Sequence, residues 1–112
     1  MPKIYVIEDD EPIRGELTRL LEREGYETDA CGDFSRASEL ALAAAPDLVL
    51  LDLTLPGTDG QLVCRELRAS SGVPIVVLTS RTTEADEVVA MTLGADDFVP
   101  KPFDLSVLSA KV

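Results

Sequence analysis

The sequence predicts a doubly wound α/β fold, a five-stranded parallel sheet with helices on both faces. Three observations carry this. The apolar runs Ile4-Tyr5-Val6-Ile7, Leu48-Val49-Leu50-Leu51 and Pro74-Ile75-Val76-Val77-Leu78 are nearly continuous, as in strands covered on both faces. Segments with apolar residues at helical spacing lie between such runs, so that strand and helix alternate five times along the chain. The connections are short, and right-handed crossovers into a parallel sheet are what satisfy that alternation.

The elements follow in order. After the strand at 4–7, Pro12 suits a first helical turn, and Ile13, Leu17, Leu20 and Leu21 recur on one face until Gly25 stops the pattern. Asp10 and Glu11, just before that helix, suit its N-terminus. Residues 26–31 form a short, mixed strand candidate. From Ser35, the run Ala37, Leu40, Ala41, Ala44 resumes helical periodicity, which Pro46 ends. The strand at 48–51 leads into the turn-rich Leu55-Pro56-Gly57-Thr58-Asp59-Gly60. Leu62, Val63 and Leu67 mark the next helix, ended by Ser70-Ser71-Gly72. A strand at 73–78, a helix at 84–93 closed by Gly94, a short strand at Phe98-Val99 and a helix opening at Asp104 complete the chain. The last helix, 104–112, completes little apolar periodicity, so the chain reads as one domain, 1–112, cut in or just after that helix. Counted along the sheet, the order expected of this flavodoxin-like architecture is 2-1-3-4-5.

Length and composition narrow the function. At 112 residues, 46% of them apolar, the chain fits a single domain with an ordinary core. No stretch approaches the roughly 18 consecutive apolar residues of a membrane span. Met1-Pro2-Lys3 runs directly into a strand, so a cytoplasmic protein without membrane contact is expected. Cys31 and Cys64 lie far apart, without metal-ligand spacing and without any histidine, and are expected to be buried thiols. A net charge of −11 opposes binding to nucleic acid phosphates, and any DNA contact belongs to another domain.

In a parallel sheet the carboxyl edge collects Glu8, Asp9, Asp10, Asp52, Thr79, Ser80 and Lys101, at the edge where open α/β sheets place their ligands. Carboxylates brought together from two strands repel one another unless a cation joins them. Oxygen donors without His or Cys select a hard ion, and few protein ligands suit Mg²⁺ better than Ca²⁺, with Mn²⁺ as an alternative. Asp9 and Asp52 are assigned as direct ligands and Glu8 as acting through water. Lys101, held between Pro100 and Pro102, is a stiffly placed counterion. With the metal it would neutralise a phosphoryl group carried on Asp52, and the Thr79 hydroxyl would meet a further oxygen. A threonine ending a strand is, taken alone, more often only a β-former.

These residues match a known pattern. Val6-Ile7-Glu8-Asp9-Asp10, Leu50-Leu51-Asp52-Leu53-Thr54-Leu55-Pro56-Gly57-Thr58-Asp59-Gly60, Ile75-Val76-Val77-Leu78-Thr79-Ser80 and Gly94-Ala95-Asp96-Asp97-Phe98-Val99-Pro100-Lys101-Pro102-Phe103 together resemble the receiver domain of two-component response regulators, over essentially the whole chain. The resemblance implies that Asp52 accepts a phosphoryl group from a sensor histidine kinase. It implies that Asp9, Asp52 and the backbone carbonyl of Thr54 bind Mg²⁺, with Glu8 in support. Thr79 and Phe98 become the switch pair, the family's lysine falls on Lys101, and the Ser80 backbone amide would donate a hydrogen bond to the phosphoryl oxygens. Thr54 and Arg81, two residues beyond Asp52 and Thr79, would flank the attacking water and tune the lifetime of the phosphoryl group. Such a group adds about −1.5 to −2 charge at neutral pH and biases two loop arrangements.

The segment from Gly94 to Phe98 looks most like the winged-helix DNA-binding subfamily (OmpR/PhoB-type), which implies transcriptional output and a homodimer through the helix at 84–93, the strand at 98–99 and the last helix. Glu87 departs from the basic residue many members carry there, so this chain is expected to phosphorylate without dimerising strongly. Sedimentation with and without a phosphoryl mimic checks this, and a tight dimer would contradict it.

Other classes fit less well. A phosphotransferase of the haloacid dehalogenase kind needs a second aspartate two residues after the first, where Thr54 stands. A flavodoxin-like cofactor module would need a phosphate-cradling loop where Glu8-Asp9-Asp10 repels phosphate. A pseudo-receiver used only for protein contacts would not fill every chemical position. The expectation is therefore no enzyme acting on an outside substrate, only self-catalysed phosphorylation and dephosphorylation.

Overall fold

The first apolar run forms β1 (Lys3–Ile7), followed by α1 (Glu11–Arg23), β2 (Glu27–Ala30), a 3₁₀ turn (Phe34–Arg36), α2 (Ala37–Ala44) and β3 (Leu48–Leu51). Two short strands, β4 (Thr54–Leu55) and β5 (Thr58–Asp59), precede α3 (Gly60–Ser70), and β6 (Ile75–Thr79) and β7 (Asp97–Pro100) close the main sheet. The structure is a computed structural model, and it describes residues 2–55, 58–79, 91–92 and 94–100. Of the helix expected at 84–93 only Met91 and Thr92, both helical, are among these, and the helix expected at 104–112 lies outside them.

The main sheet runs β2-β1-β3-β6-β7 and every pairing in it is parallel. Counted within that sheet alone, this is the expected order 2-1-3-4-5. Alternate side chains of each strand leave on opposite faces. On one face Tyr5, Ile7, Val49, Leu51, Ile75 and Val77 pack with Ala37 and Ala41 of α2 and with Val63, Cys64 and Leu67 of α3. On the other, Ile4, Val6, Leu50, Val76, Leu78 and Val99 pack with Leu17 and Leu21 of α1. Burial on both faces explains why these runs are apolar without alternation, each large side chain contributing about 1.5–3 kcal/mol. Both cysteines are buried, as expected, and burial pushes the Cys64 thiol up, away from the reactive thiolate.

Local chemistry sets the boundaries. The Asp10 carboxylate accepts from the Ile13 N–H at 3.1 Å and caps α1, with Pro12 in the first turn. The helix thus starts at Glu11, and Pro12 falls in its first turn as expected. Gly25, at φ +94°, lets the chain leave α1 in a left-handed turn. The strand expected from Val73 starts at Ile75 because the Val73 carbonyl accepts from Arg68 Nη1 at 3.0 Å and Pro74 has no N–H for the ladder. The β4–β5 pairing, Thr54 with Asp59 and Leu55 with Thr58, falls where the sequence predicts only a turn-rich loop, since two-residue strands have no periodicity to detect.

Tyr5 offers a test of this core. It is 3% exposed, and burial first, then the neighbouring Cys31, raise its phenol pKa. A pKa raised in the folded state means the native protein holds the proton longer than the unfolded chain. The contribution is therefore complete below the ordinary value of about 10 and is lost as pH rises above it. In Tyr26→Phe, which leaves Tyr5 as the only phenol of the original two, the phenolate absorbance should appear above that ordinary value and together with loss of far-UV circular dichroism. Ionisation at the ordinary value in a folded protein would contradict the packing.

Candidate functional site

The site is a consequence of register. Ile7 pairs with Leu51 at the ends of β1 and β3, and the Asp52 N–H donates to the Ile7 carbonyl at 3.0 Å. Glu8 and Asp9 therefore leave β1 level with Asp52 leaving β3. Because β2 lies on one side of β1 and β3 on the other, the helices that follow β1 and β3 diverge here, which opens a crevice at the carboxyl edge. One carboxylate oxygen each from Glu8, Asp9 and Asp52 lies within 4.8 Å of the others. Asp9 is exposed, whereas Glu8 and Asp52 are only 2% and 5% exposed.

Two buried carboxylates beside a third acid make a donor set suited to a cation, since like charges gathered at one place repel one another. The span of the oxygens is close to the about 4.2 Å between opposed ligands of an ion with bonds of about 2.1 Å, which is the Mg²⁺ range. An all-oxygen donor set also matches a hard ion. The residues present thus fit Mg²⁺.

Two glycine and capping features hold the loop that carries Asp52. The Gly60 N–H donates to the Leu53 carbonyl at 3.0 Å, and a Cβ added at Gly60 would collide with the Asp52 carbonyl oxygen and Leu53 Cα. Asp59 caps α3 by accepting from the Gln61 N–H at 2.9 Å. Leu53 and Leu55 are buried, so the backbone after Asp52 is pinned between the core and the start of α3. On the β1 side, Arg14 Nη1 donates to the Glu8 carbonyl at 2.9 Å, tying the acidic loop to α1.

Of the residues singled out from sequence, the structure gathers Glu8, Asp9 and Asp52. Asp10 caps a helix instead. Thr54 stands in β4, two residues past Asp52, Thr79 ends β6, and Phe98 lies in β7 opposite Val77. The side chains of Thr54, Thr79 and Phe98, and all of Ser80, Arg81, Glu87 and Lys101, lie outside the described residues. Sequence reasoning passed over Gly60 and Arg14. Gly60 carried a signal: an Asp-Gly pair directly before an amphipathic run marks a capped helix start where a side chain is excluded.

The model of the response regulator receiver domain family matches residues 4–112. The chain belongs to that family. This receiver domain is 42% identical over 112 residues to the transcriptional regulatory protein YxdJ of Bacillus subtilis, covering all of this chain and 49% of that protein. It is 49% identical over 110 residues to the DNA-binding response regulator MtrA of Mycolicibacterium smegmatis, covering 98% of this chain and 48% of that one. The receiver domain thus spans about half the length of these curated relatives. Among solved structures, it superposes on the BeF3-activated N-terminal receiver domain of Klebsiella pneumoniae RstA with a TM-score of 0.92 at 35% identity, covering 97% of this chain and 93% of that one. It superposes on the N-terminal domain of the nisin resistance regulator NsrR with a TM-score of 0.88 at 39% identity, covering 99% and 94%. The chain is therefore a receiver domain of the two-component response regulator kind. Receiver domains of this kind are not conventional enzymes. No helix among the described residues is long and apolar enough to cross a membrane.

Proposed function

We propose that this receiver domain takes a phosphoryl group onto Asp52 from a phosphohistidine of a sensor histidine kinase, and that the charge so placed switches the surface around β7. The observation that carries this reading is the meeting of the Glu8, Asp9 and Asp52 carboxylates at one strand edge, two of them buried. An Asp52 carboxylate oxygen attacks phosphorus in line. The new O–P bond forms as the P–N bond to the kinase imidazole breaks, and that ring nitrogen keeps the electron pair.

Asp9, Asp52 and the Thr54 carbonyl would hold Mg²⁺ with Glu8 in support, and bound Mg²⁺ supplies charge neutralisation for the phosphoryl oxygens. Lys101 and the Ser80 amide would meet the remaining oxygens, Thr79 and Phe98 would report them, and Thr54 and Arg81 would set how readily water reaches the phosphorus. Domain 1–112 would then act on a DNA-binding effector domain in a cytoplasmic transcription regulator; a transcriptional regulatory protein and a DNA-binding response regulator among the relatives support such an output. It acts catalytically only on its own phosphorylation and dephosphorylation.

Mg²⁺ titration followed by thermal denaturation tests the metal half of this reading. A ligand bound only by the folded state adds about 2.7 kcal/mol at 100 times its Kd, so a saturable rise in Tm is expected, lost with a chelator. A Tm unmoved by Mg²⁺ would contradict it. In Lys101→Ala the same rise should persist, because the lysine is not a ligand, while phosphorylation from acetyl phosphate slows by about 10-fold or more through loss of a charge that neutralises the transferring group. Equal loss of Mg²⁺ affinity would contradict the assigned role.

A further inference from the structure

At the amino end of the sheet, away from the acidic cluster, one guanidinium gathers three segments. Arg68, in the last turn of α3, donates from Nε at 2.9 Å and from Nη2 at 2.7 Å to the Gly94 carbonyl. Nη2 also meets Asp96 Oδ2 at 2.7 Å, and Nη1 donates to the Val73 carbonyl at 3.0 Å. Asp96 Oδ2 in turn accepts from the Ile75 N–H at 2.7 Å, and the Asp96 N–H donates to the Ile75 carbonyl at 2.7 Å. Gly94 is required twice: its φ is +110°, and an added Cβ would lie 2.6 Å from Arg68 Cγ.

Ile75 opens β6 and Asp96 immediately precedes β7, so this cluster fixes where both strands begin. β7 is a four-residue strand at the edge of the sheet, with β6 as its one neighbour among the described residues. The strand is only four residues long, with Val99 buried in the core, and a slip of one residue would shift it by about 3.3 Å and exchange its faces. The register observed sets Phe98 opposite Val77 and Pro100 opposite Thr79, and Lys101 is the next residue in the chain.

We propose that Arg68 and Asp96 are positioning residues for the phosphoryl reaction: by fixing β7 on β6 they set where Phe98 and Lys101 stand relative to Asp52. This rests on the reading of Asp52 and Lys101 given above. Arg68 acts from the opposite end of the strands and touches none of the acids gathered at the carboxyl edge.

The experiment measures Mg²⁺ affinity and the rate of Mg²⁺-dependent phosphorylation by acetyl phosphate in wild type, Arg68→Met, Lys101→Ala and the double variant. A misplacement of about 1 Å can cost on the order of 100-fold in rate, so Arg68→Met should slow phosphorylation by at least about 10-fold. Its Mg²⁺ affinity should stay within about twofold, because the acids sit on β1 and β3. In the Lys101→Ala background the same substitution should change the rate by less than about twofold, since two residues acting through one position are not additive.

A merely structural role would lower the rate equally in both backgrounds, and that result overturns the proposal. So does an Arg68→Met rate equal to wild type, or a parallel loss of Mg²⁺ affinity. If Arg68→Met does not fold, Asp96→Asn, which keeps an acceptor for the Ile75 N–H, takes its place under the same criteria. A wild type that takes up no phosphoryl group overturns the reading of Asp52 and this proposal with it. A phosphorylated wild type with an unaffected Arg68→Met overturns this proposal alone.

Discussion

Asp52→Asn is expected to abolish phosphoryl uptake while leaving the fold intact. The substitution is nearly isosteric, and the Asp52 backbone N–H bond to Ile7 that sets the strand ends level is unaffected. What disappears is the anionic oxygen that attacks phosphorus, and no neighbouring acid stands in the same place: Asp9 is exposed and Glu8 leaves a different strand. Removing one of three clustered carboxylates should also weaken Mg²⁺, by roughly 10-fold or more, the lower end of what even a supporting group contributes to a metal site. Intact-mass measurement after acetyl phosphate treatment reads the first effect and calorimetric titration the second. Uptake persisting in Asp52→Asn would move the acceptor elsewhere.

Gly60→Ala should be the most damaging single methyl group in the described part of the molecule. The new Cβ would press on the backbone of Asp52 and Leu53, which cannot rotate aside as a side chain could. Overpacking of this kind costs about 1–3 kcal/mol, and the gain in helix propensity, at most about 1 kcal/mol and smaller at a helix start, does not offset it. The strain falls on the peptide carrying the acceptor, so the loss extends to function. A displacement of Asp52 by about 1 Å should slow phosphorylation by on the order of 100-fold in the molecules that remain folded. Denaturant titration and phosphorylation rates together check this. An alanine variant as stable and as fast as wild type would show that the loop yields freely.

Much of this was readable from the chain because the strongest signals are physical and local. Runs such as Leu48-Val49-Leu50-Leu51 can be apolar without alternation only where both sheet faces are covered, and the register they impose then brings Glu8, Asp9 and Asp52 to one edge. The Asp10 cap and the left-handed turn at Gly25 announced the limits of α1 through side-chain chemistry. What was not legible depended on contacts distant in sequence. Nothing near Arg68 indicates that Gly94 and Asp96, more than twenty residues on, will accept its hydrogen bonds. The exclusion of a side chain at Gly60 arises from the approach of the Asp52–Leu53 backbone, which exists only after β3 and α3 have packed. The β4–β5 pairing is too short to leave a pattern.

The most direct measurement treats the wild-type protein with acetyl phosphate, with Mg²⁺ or with chelator, reduces the acyl phosphate with borohydride and locates the modified residue by peptide mass mapping. Modification at Asp52 alone, and only when Mg²⁺ is present, is the expected result. No modification of a folded protein, or modification at another carboxylate, would contradict the role assigned to Asp52.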